Sequence, residues 1–517
     1  MKKNRYFLII FVFVALLLAG CHISILPGPT TTTSTATTSS TSSTSTSQSG
    51  FNYSGEGLKI IDDLLKEDFA HNLGIGIPST GSRKALVIPI EFKPYQIMDG
   101  FQTINYGSFN QNDLDKMAPG FNGDYESTGY ESVHSFYYKS SYGALDLSFD
   151  IADVYTLSKT FLDYQNDPDD GARVILKEVL RALDSEIDFS QYDTNDDGYI
   201  DGVYLVYSIP YGGSPNEPSA ISNLRNYNED YWWAWVDWAK DTNVVVDGVR
   251  LNYFMWASVD FFNDKYDANG TKSIPVNATT FIHETGHMLG LEDYYDYKYD
   301  YEVKNGKVVP INFYGGTGGA DMMDGAVGDH SAVSKILLGW LTPTVVQESG
   351  TYNLVSLQEI DVGVNHQVLL IPKNWHDSYF DEYYLVDFYT PTGLNYLQNG
   401  EYGLFSSAGV RVYHIDARVS GSVGHQFDMN YWTYFSYNNS TTDHLFIKLM
   451  EGDGDASLEK LVPNGSRYYP ADATNSDLFY EGNTFDATNT WYDGTNIDFT
   501  ISIDAIDGNV ATVTVTK

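Results

Sequence analysis

The stretch Thr280-Phe281-Ile282-His283-Glu284-Thr285-Gly286-His287-Met288-Leu289-Gly290-Leu291-Glu292-Asp293 constrains the fold of this chain more than any other segment. Residues four apart on a helix sit one above the other, so His283 and His287 can aim two imidazole nitrogens at one point. Neutral imidazole suits zinc, with bonds of about 2.0–2.1 Å. Phe281, Ile282, Met288, Leu289 and Leu291 supply apolar flanks, which predicts a buried helix beginning near Thr279. Glu284 follows the first histidine, where a carboxylate can reach a water on the metal rather than the metal itself. Gly290 permits a left-handed turn that ends the helix, and the returning chain can bring Asp293 to the ion as an oxygen ligand. Three protein ligands leave a position open for water, which separates a catalytic site from a closed structural one. A short His-Glu-x-x-His also occurs by chance in ordinary core helices. The added glycine and aspartate at this spacing favour the metal, with His283, His287 and Asp293 as ligands and Glu284 as general base.

The N-terminus reads as an address. Met1-Lys2-Lys3-Asn4-Arg5 is basic, and the apolar run from Tyr6 to Ala19 is short for a bilayer span of about 20 residues, so residues 1–20 are expected to be a signal peptide. The run ends in Leu18-Ala19-Gly20-Cys21, which resembles the lipobox of bacterial lipoproteins and implies lipidation of Cys21. Cys21 is the only cysteine, so no disulfide can form within the chain. From Pro27 to Gly50 the chain is almost entirely Thr and Ser, too polar to offset its ordering entropy. Residues 21–50 are therefore expected to tether a folded part to the outer face of the membrane.

Composition narrows the partners. The 517 residues hold 30 Lys+Arg against 68 Asp+Glu, and a formal charge of −38 repels phosphate backbones, which argues against nucleic acid. The same surplus of carboxylates suits hard cations. Asp193, Asn195 and Asp197 recur at every second residue before Gly198, as in the first half of a calcium loop, with the Tyr199 carbonyl and Asp201 as further ligands. Tyr204 stands where an EF-hand would place its bidentate glutamate, so an EF-hand is excluded. The alternative is an Asx-rich turn without metal. A bound calcium would stiffen the fold rather than take part in catalysis.

Periodicity divides the remainder into two parts. Strand-like runs Ala85–Phe92, Ala144–Ile151 and Val203–Ile209 alternate with helical patterns, among them Ala172–Ile187 and an opening pattern at Leu58–Leu65. Beyond Pro343 come short strands: Tyr352–Leu357, Gln367–Ile371, Tyr383–Tyr389, Val410–Ile415, Leu445–Leu449, Phe499–Ile503 and Val510–Val515. Asp507-Gly508-Asn509 is hairpin-turn chemistry between the last two. The expected architecture is an α+β domain over 51–344, with a possible pro-segment at 51–85, followed by an all-β, sandwich-like domain over 345–517.

The zinc-helix residues resemble the metzincin-like pattern HExxHxxGxxD, and especially the immune inhibitor A family of bacterial zinc metallopeptidases. Ala320-Asp321-Met322-Met323-Asp324-Gly325 is similar to that family's Met-turn, although Ala320 stands where a tryptophan is usual, and Lys335-Ile336-Leu337-Leu338-Gly339-Trp340 matches its usual continuation. Tyr137-Tyr138-Lys139-Ser140-Ser141-Tyr142-Gly143, the 193–202 loop and Gly409-Val410-Arg411-Val412-Tyr413-His414-Ile415-Asp416 resemble further family blocks. The resemblance covers about 85–517. It implies a zincin/metzincin-like catalytic domain with one catalytic Zn2+ and Met323 beneath the zinc ligands, while the structural Ca2+ is expected from the 193–201 loop alone. It also implies an extracellular endopeptidase acting on proteins or peptides, expected as a monomer.

Other features weigh less. The aromatic run Tyr231–Trp238 could border a cleft, but core packing is the better reading. His414 and Asp416 lack further ligands for a metal site, and His330 is one candidate for stabilising an oxyanion. From a different class, the chain could be a surface binding protein or adhesin on an inactive peptidase scaffold. The intact His283, Glu284, His287 and Asp293 favour the enzyme.

Overall fold

The computed structural model describes residues 76–517 apart from 100–101, 168–170, 215, 223, 225–229, 240–243, 252, 264–273, 305–306, 326, 359–367, 377, 399–403, 424–431, 436–438, 441–442 and 465–466. The signal peptide, Cys21, the tether and the pattern at Leu58–Leu65 lie outside the described residues. Among the described residues no helix is long and apolar enough to cross a membrane.

The first half is mixed α/β. In chain order its main elements are β1 (Gly81–Glu91), α1 (Gln111–Asn122), α2 (Val133–Ser140), β2 (Leu145–Ile151), α3 (Gly171–Leu183), β3 (Val203–Tyr207), β4 (Trp235–Trp238), β5 (Tyr253–Ser258) and α4 (Thr279–Met288). The strands form one sheet in the order β2-β1-β3-β5-β4. Its first four are mutually parallel, whereas β4 runs antiparallel to β5 at the edge, with Trp235 opposite Trp256. Parallel strands covered on both faces carry apolar residues on both, as the fully buried run Val203–Tyr207 does. Alternate side chains then serve two cores. Ala85, Val87, Tyr204, Val206, Met255 and Ala257 pack with α1, α2 and α4. Leu86, Ile88, Val203, Leu205, Phe254 and Trp256 pack with Ile175, Leu176, Val179 and Leu180 of α3.

The second half holds two sheets. Thr344–Val345, Val368–Pro372, Glu382–Tyr389, Gly409–Asp416 and Ile447–Met450 form a five-stranded sheet; Gly350–Val355, Val510–Thr516, Thr500–Asp507 and Thr484–Phe485 form a four-stranded one. Asp507 pairs with Val510 across a two-residue turn in which Gly508 takes a φ of +58°, a conformation glycine adopts without strain. Leu369, Ile371, Tyr384, Val386, Val410 and Val412 face the four-stranded sheet. The alternate residues Val368, Leu370, Tyr383, Leu385, Tyr413 and Ile415 join the core of α2 and α4. One hydrophobic core therefore crosses residue 344, and the five-stranded sheet buttresses the helix layer.

Candidate metal centre

Helix α4 is buried along its whole length. Its first turn is tied down by Asn277 Oδ1, which accepts from the Thr279 N–H at 2.9 Å and the Thr279 hydroxyl at 2.8 Å. Its last turn closes around Gly290, whose φ of +100° lies in the region that favours glycine. Gly290 N–H bonds to His287 O and Leu291 N–H to Gly286 O, both at 3.0 Å, the paired bonds of a Schellman stop. That turn places the Leu291 carbonyl 2.8 Å from His287 Nδ1 and returns the chain toward the helix.

The return brings three buried groups together. Asp293 Oδ1 lies 3.0 Å from His283 Nε2 and 3.3 Å from His287 Nε2. One ligand atom from each residue falls within 4.8 Å of the others. The remaining polar atoms are all occupied: His283 Nδ1 meets Met322 O at 2.8 Å, His287 Nδ1 meets Leu291 O, and the Tyr297 hydroxyl donates to Asp293 Oδ2. In the neutral ring, a main-chain carbonyl at Nδ1 holds the proton there and leaves the Nε2 lone pair pointing inward, the form a metal would take. Although 3.3 Å apart, His287 Nε2 and Asp293 Oδ1 are not aligned as a hydrogen bond, so two buried polar atoms point at one spot without a bond between them. With His283 Nε2 beside these two orphaned atoms, the set of two imidazoles and one carboxylate fits a zinc ion. Burial opposes charge on His287, yet the Asp293 carboxylate outweighs it and lifts this imidazole to about 9. Burial would raise Asp293 in turn, but His287 and His283 hold it well below the usual carboxylate range. Glu284 lies on the same helix between the two histidines and is almost fully buried.

The Met-turn residues sit directly against this helix. Met322–Gly325 forms the short helix α5, and a Cβ on Gly286 would stand 2.4 Å from Met323 Sδ. Met323 O accepts the Tyr294 N–H at 2.9 Å. Asp321 organises the turn, accepting the Met323 and Ser331 N–H groups at 2.6 Å each. Behind it, the Tyr137 hydroxyl donates to Ile282 O at 2.7 Å. Lys335, in α6 (Ala332–Leu337), is buried and bonds Asp329 at 2.8 Å and Ser140 O at 2.6 Å. The Tyr137–Gly143 and Lys335–Trp340 blocks thus meet behind α4.

Other sequence candidates fall elsewhere. His330 is fully buried against the rings of Phe136, Tyr137 and Trp340, behind the helix. Trp232, Trp233 and Trp235 pack on Phe92, Tyr211 and Phe254, so the aromatic run is core, with its last residues forming β4. His414 stacks between Tyr384 and Tyr492 and meets Glu382 at 3.1 Å, while Asp416 pairs with Arg418 and His444. These are separate structural contacts.

In the 193–201 loop, Asp193 accepts the N–H groups of Asp197 at 2.9 Å and Gly198 at 2.8 Å, and Asp197 accepts that of Tyr199 at 2.7 Å. Asn195 donates to Asp197 at 2.9 Å. Asp201 Oδ1 is buried with no hydrogen-bond partner, and burial pushes this carboxyl up to about 7. Asp193, Asp197 and Asp201 do not converge as a set of three. Among the described residues, the converging sets are His283, His287 and Asp293, and a second one of Glu451, Asp453 and Asp477 that the spacing of the sequence does not reveal. Sequence reasoning also misses Tyr297, because its contact with Asp293 depends on how the chain turns beyond Gly290.

No protein-family model matches the chain, and no curated protein matches it. The likeness to immune inhibitor A therefore rests on the motif residues themselves.

Proposed function

We propose that this chain is a zinc endopeptidase, held on the outer face of a bacterial membrane by lipidated Cys21. The observation that carries the reading is the meeting of His283 Nε2, His287 Nε2 and Asp293 Oδ1 at one buried point, each side chain fixed through its other polar atom. These three residues would hold the ion. A zinc ion so held supplies Lewis-acid activation of a water and polarises a carbonyl. Glu284 accepts the proton of the attacking water as the new C–O bond forms, and delivers it to the amine nitrogen as the C–N bond breaks. β4 is the last strand in the order of its sheet, and α4 packs against it. An extended peptide can add there as a further strand, gripped by its main chain, without needing a free terminus. That supports cleavage of internal bonds.

The 193–201 loop is proposed to take a structural calcium. Its support is the unbonded, buried Asp201 Oδ1, and a higher unfolding temperature in calcium than in chelator tests it. Casein hydrolysis by the full-length protein with zinc, set beside Glu284→Ala, tests the catalytic reading. Activity in the wild type and none above background in the variant is expected; equal activity ends the assignment of Glu284.

A further inference from the structure

Asp293 offers two carboxylate oxygens, and the structure treats them differently. Oδ1 faces both imidazoles, at 3.0 and 3.3 Å. Oδ2 accepts the hydroxyl of Tyr297. Tyr297 is 38% exposed whereas the Asp293 side chain is fully buried, so the phenol reaches from the surface inward to the ligand. Its position is set from the second half of the chain. The Tyr297 N–H donates to Ser440 Oγ at 3.0 Å, and the adjacent Asn439 donates to Tyr294 O at 2.8 Å and Ile447 O at 2.7 Å while accepting the Ile447 N–H at 3.1 Å. The segment Tyr294–Tyr297 is thereby clamped at both ends.

We propose that Tyr297 is the positioning residue of the metal centre: its hydroxyl holds Asp293 Oδ2 away from the ion, so that the carboxylate ligates through Oδ1 alone, and Ser440 holds Tyr297 in register. This rests on the zinc reading above. A donor on one carboxylate oxygen fixes the rotation of the group and its basicity, and removing such outer partners weakens metal binding by about 10–100-fold. Tyr297 therefore acts through Asp293 and not on the substrate.

The test uses full-length wild type, Tyr297→Phe and Ser440→Ala, with zinc affinity read by competition against a chromophoric chelator and the shell read by the visible spectrum of the cobalt-substituted protein. Tyr297→Phe keeps the ring and is expected to weaken zinc by about 10–100-fold. It should also alter the cobalt bands, because the released Oδ2 can join the shell, and leave the unfolding temperature of the metal-free protein in place. Ser440→Ala should weaken zinc in the same direction by less. Wild-type affinity with a wild-type cobalt spectrum in Tyr297→Phe overturns the assignment, as does a loss of affinity that merely follows a loss of fold. Failure of the wild type to bind either metal overturns the zinc reading itself, which is a separate result.

Discussion

A Cβ on Gly286 would lie 2.4 Å from Met323 Sδ, so the helix that carries both histidines touches the following turn at a position with no room for a side chain. Helix propensity alone makes Gly→Ala favourable by about 1 kcal/mol. Here Met323 is fully buried and cannot swing into solvent, and overpacking of that kind costs about 1–3 kcal/mol. Gly286→Ala is expected to lower the unfolding temperature, and the same substitution should cost less in a Met323→Ala background than in the wild type. A rise in unfolding temperature for Gly286→Ala would show that the contact exerts no pressure.

Lys335 and Asp329 form a second, remote support. Both are buried, and Asp329 also accepts from Ser140 at 2.6 Å and from Gln358 at 2.8 Å, which joins α2, α6 and the second half of the chain. Lys335→Met leaves the Asp329 carboxylate buried without its cation, a change that costs about 3–5 kcal/mol. Denaturant unfolding should show a loss of that order, and a far smaller one for breaking the exposed Lys460–Asp455 pair. Equal losses at the two positions would contradict the burial argument.

The helix and the convergence of His283, His287 and Asp293 were legible because two histidines a turn apart, a stop glycine and apolar flanks are local signals, and the chain forms the helix at Thr279–Met288. The Gly508-Asn509 turn was legible for the same reason. Strands β4 and β5 were not. Tyr253–Ser258 is buried on both faces, so it carries no alternation, and the aromatic run Tyr231–Trp238 read as core packing or a cleft border rather than as a strand. The continuous core across residue 344 was hidden too: it depends on which face of the five-stranded sheet meets α2 and α4, and period-2 patterning cannot name a partner. Tyr297, Asn439 and Ser440 act across more than a hundred residues of chain, beyond the reach of spacing.

Asp324 gives the turn at Met322–Gly325 a pH dependence. Burial pushes its carboxyl up to about 6, against the bonds from Thr317 and Gly319 that favour its charge. The folded state therefore holds this proton more tightly than an unfolded chain, where the value is about 3.9. Stability from this group is complete below about 3.9 and is lost as pH rises through about 6. Asp324→Asn keeps an acceptor but cannot charge. Its stability relative to wild type should rise between about pH 4 and 6.5 and level off at roughly 2–3 kcal/mol. A pH-independent difference in urea unfolding would contradict the assignment.

The central claim is that His283, His287 and Asp293 hold one zinc ion, and zinc K-edge absorption on the purified full-length protein tests it most directly, run beside the metal content of Asp293→Ala. One zinc per chain is expected, in a sulfur-free shell with imidazole and oxygen neighbours at about 2.0–2.2 Å, and strongly depleted zinc in the variant. A wild type that binds no zinc, or an Asp293→Ala protein with the same metal content and the same spectrum, would contradict it.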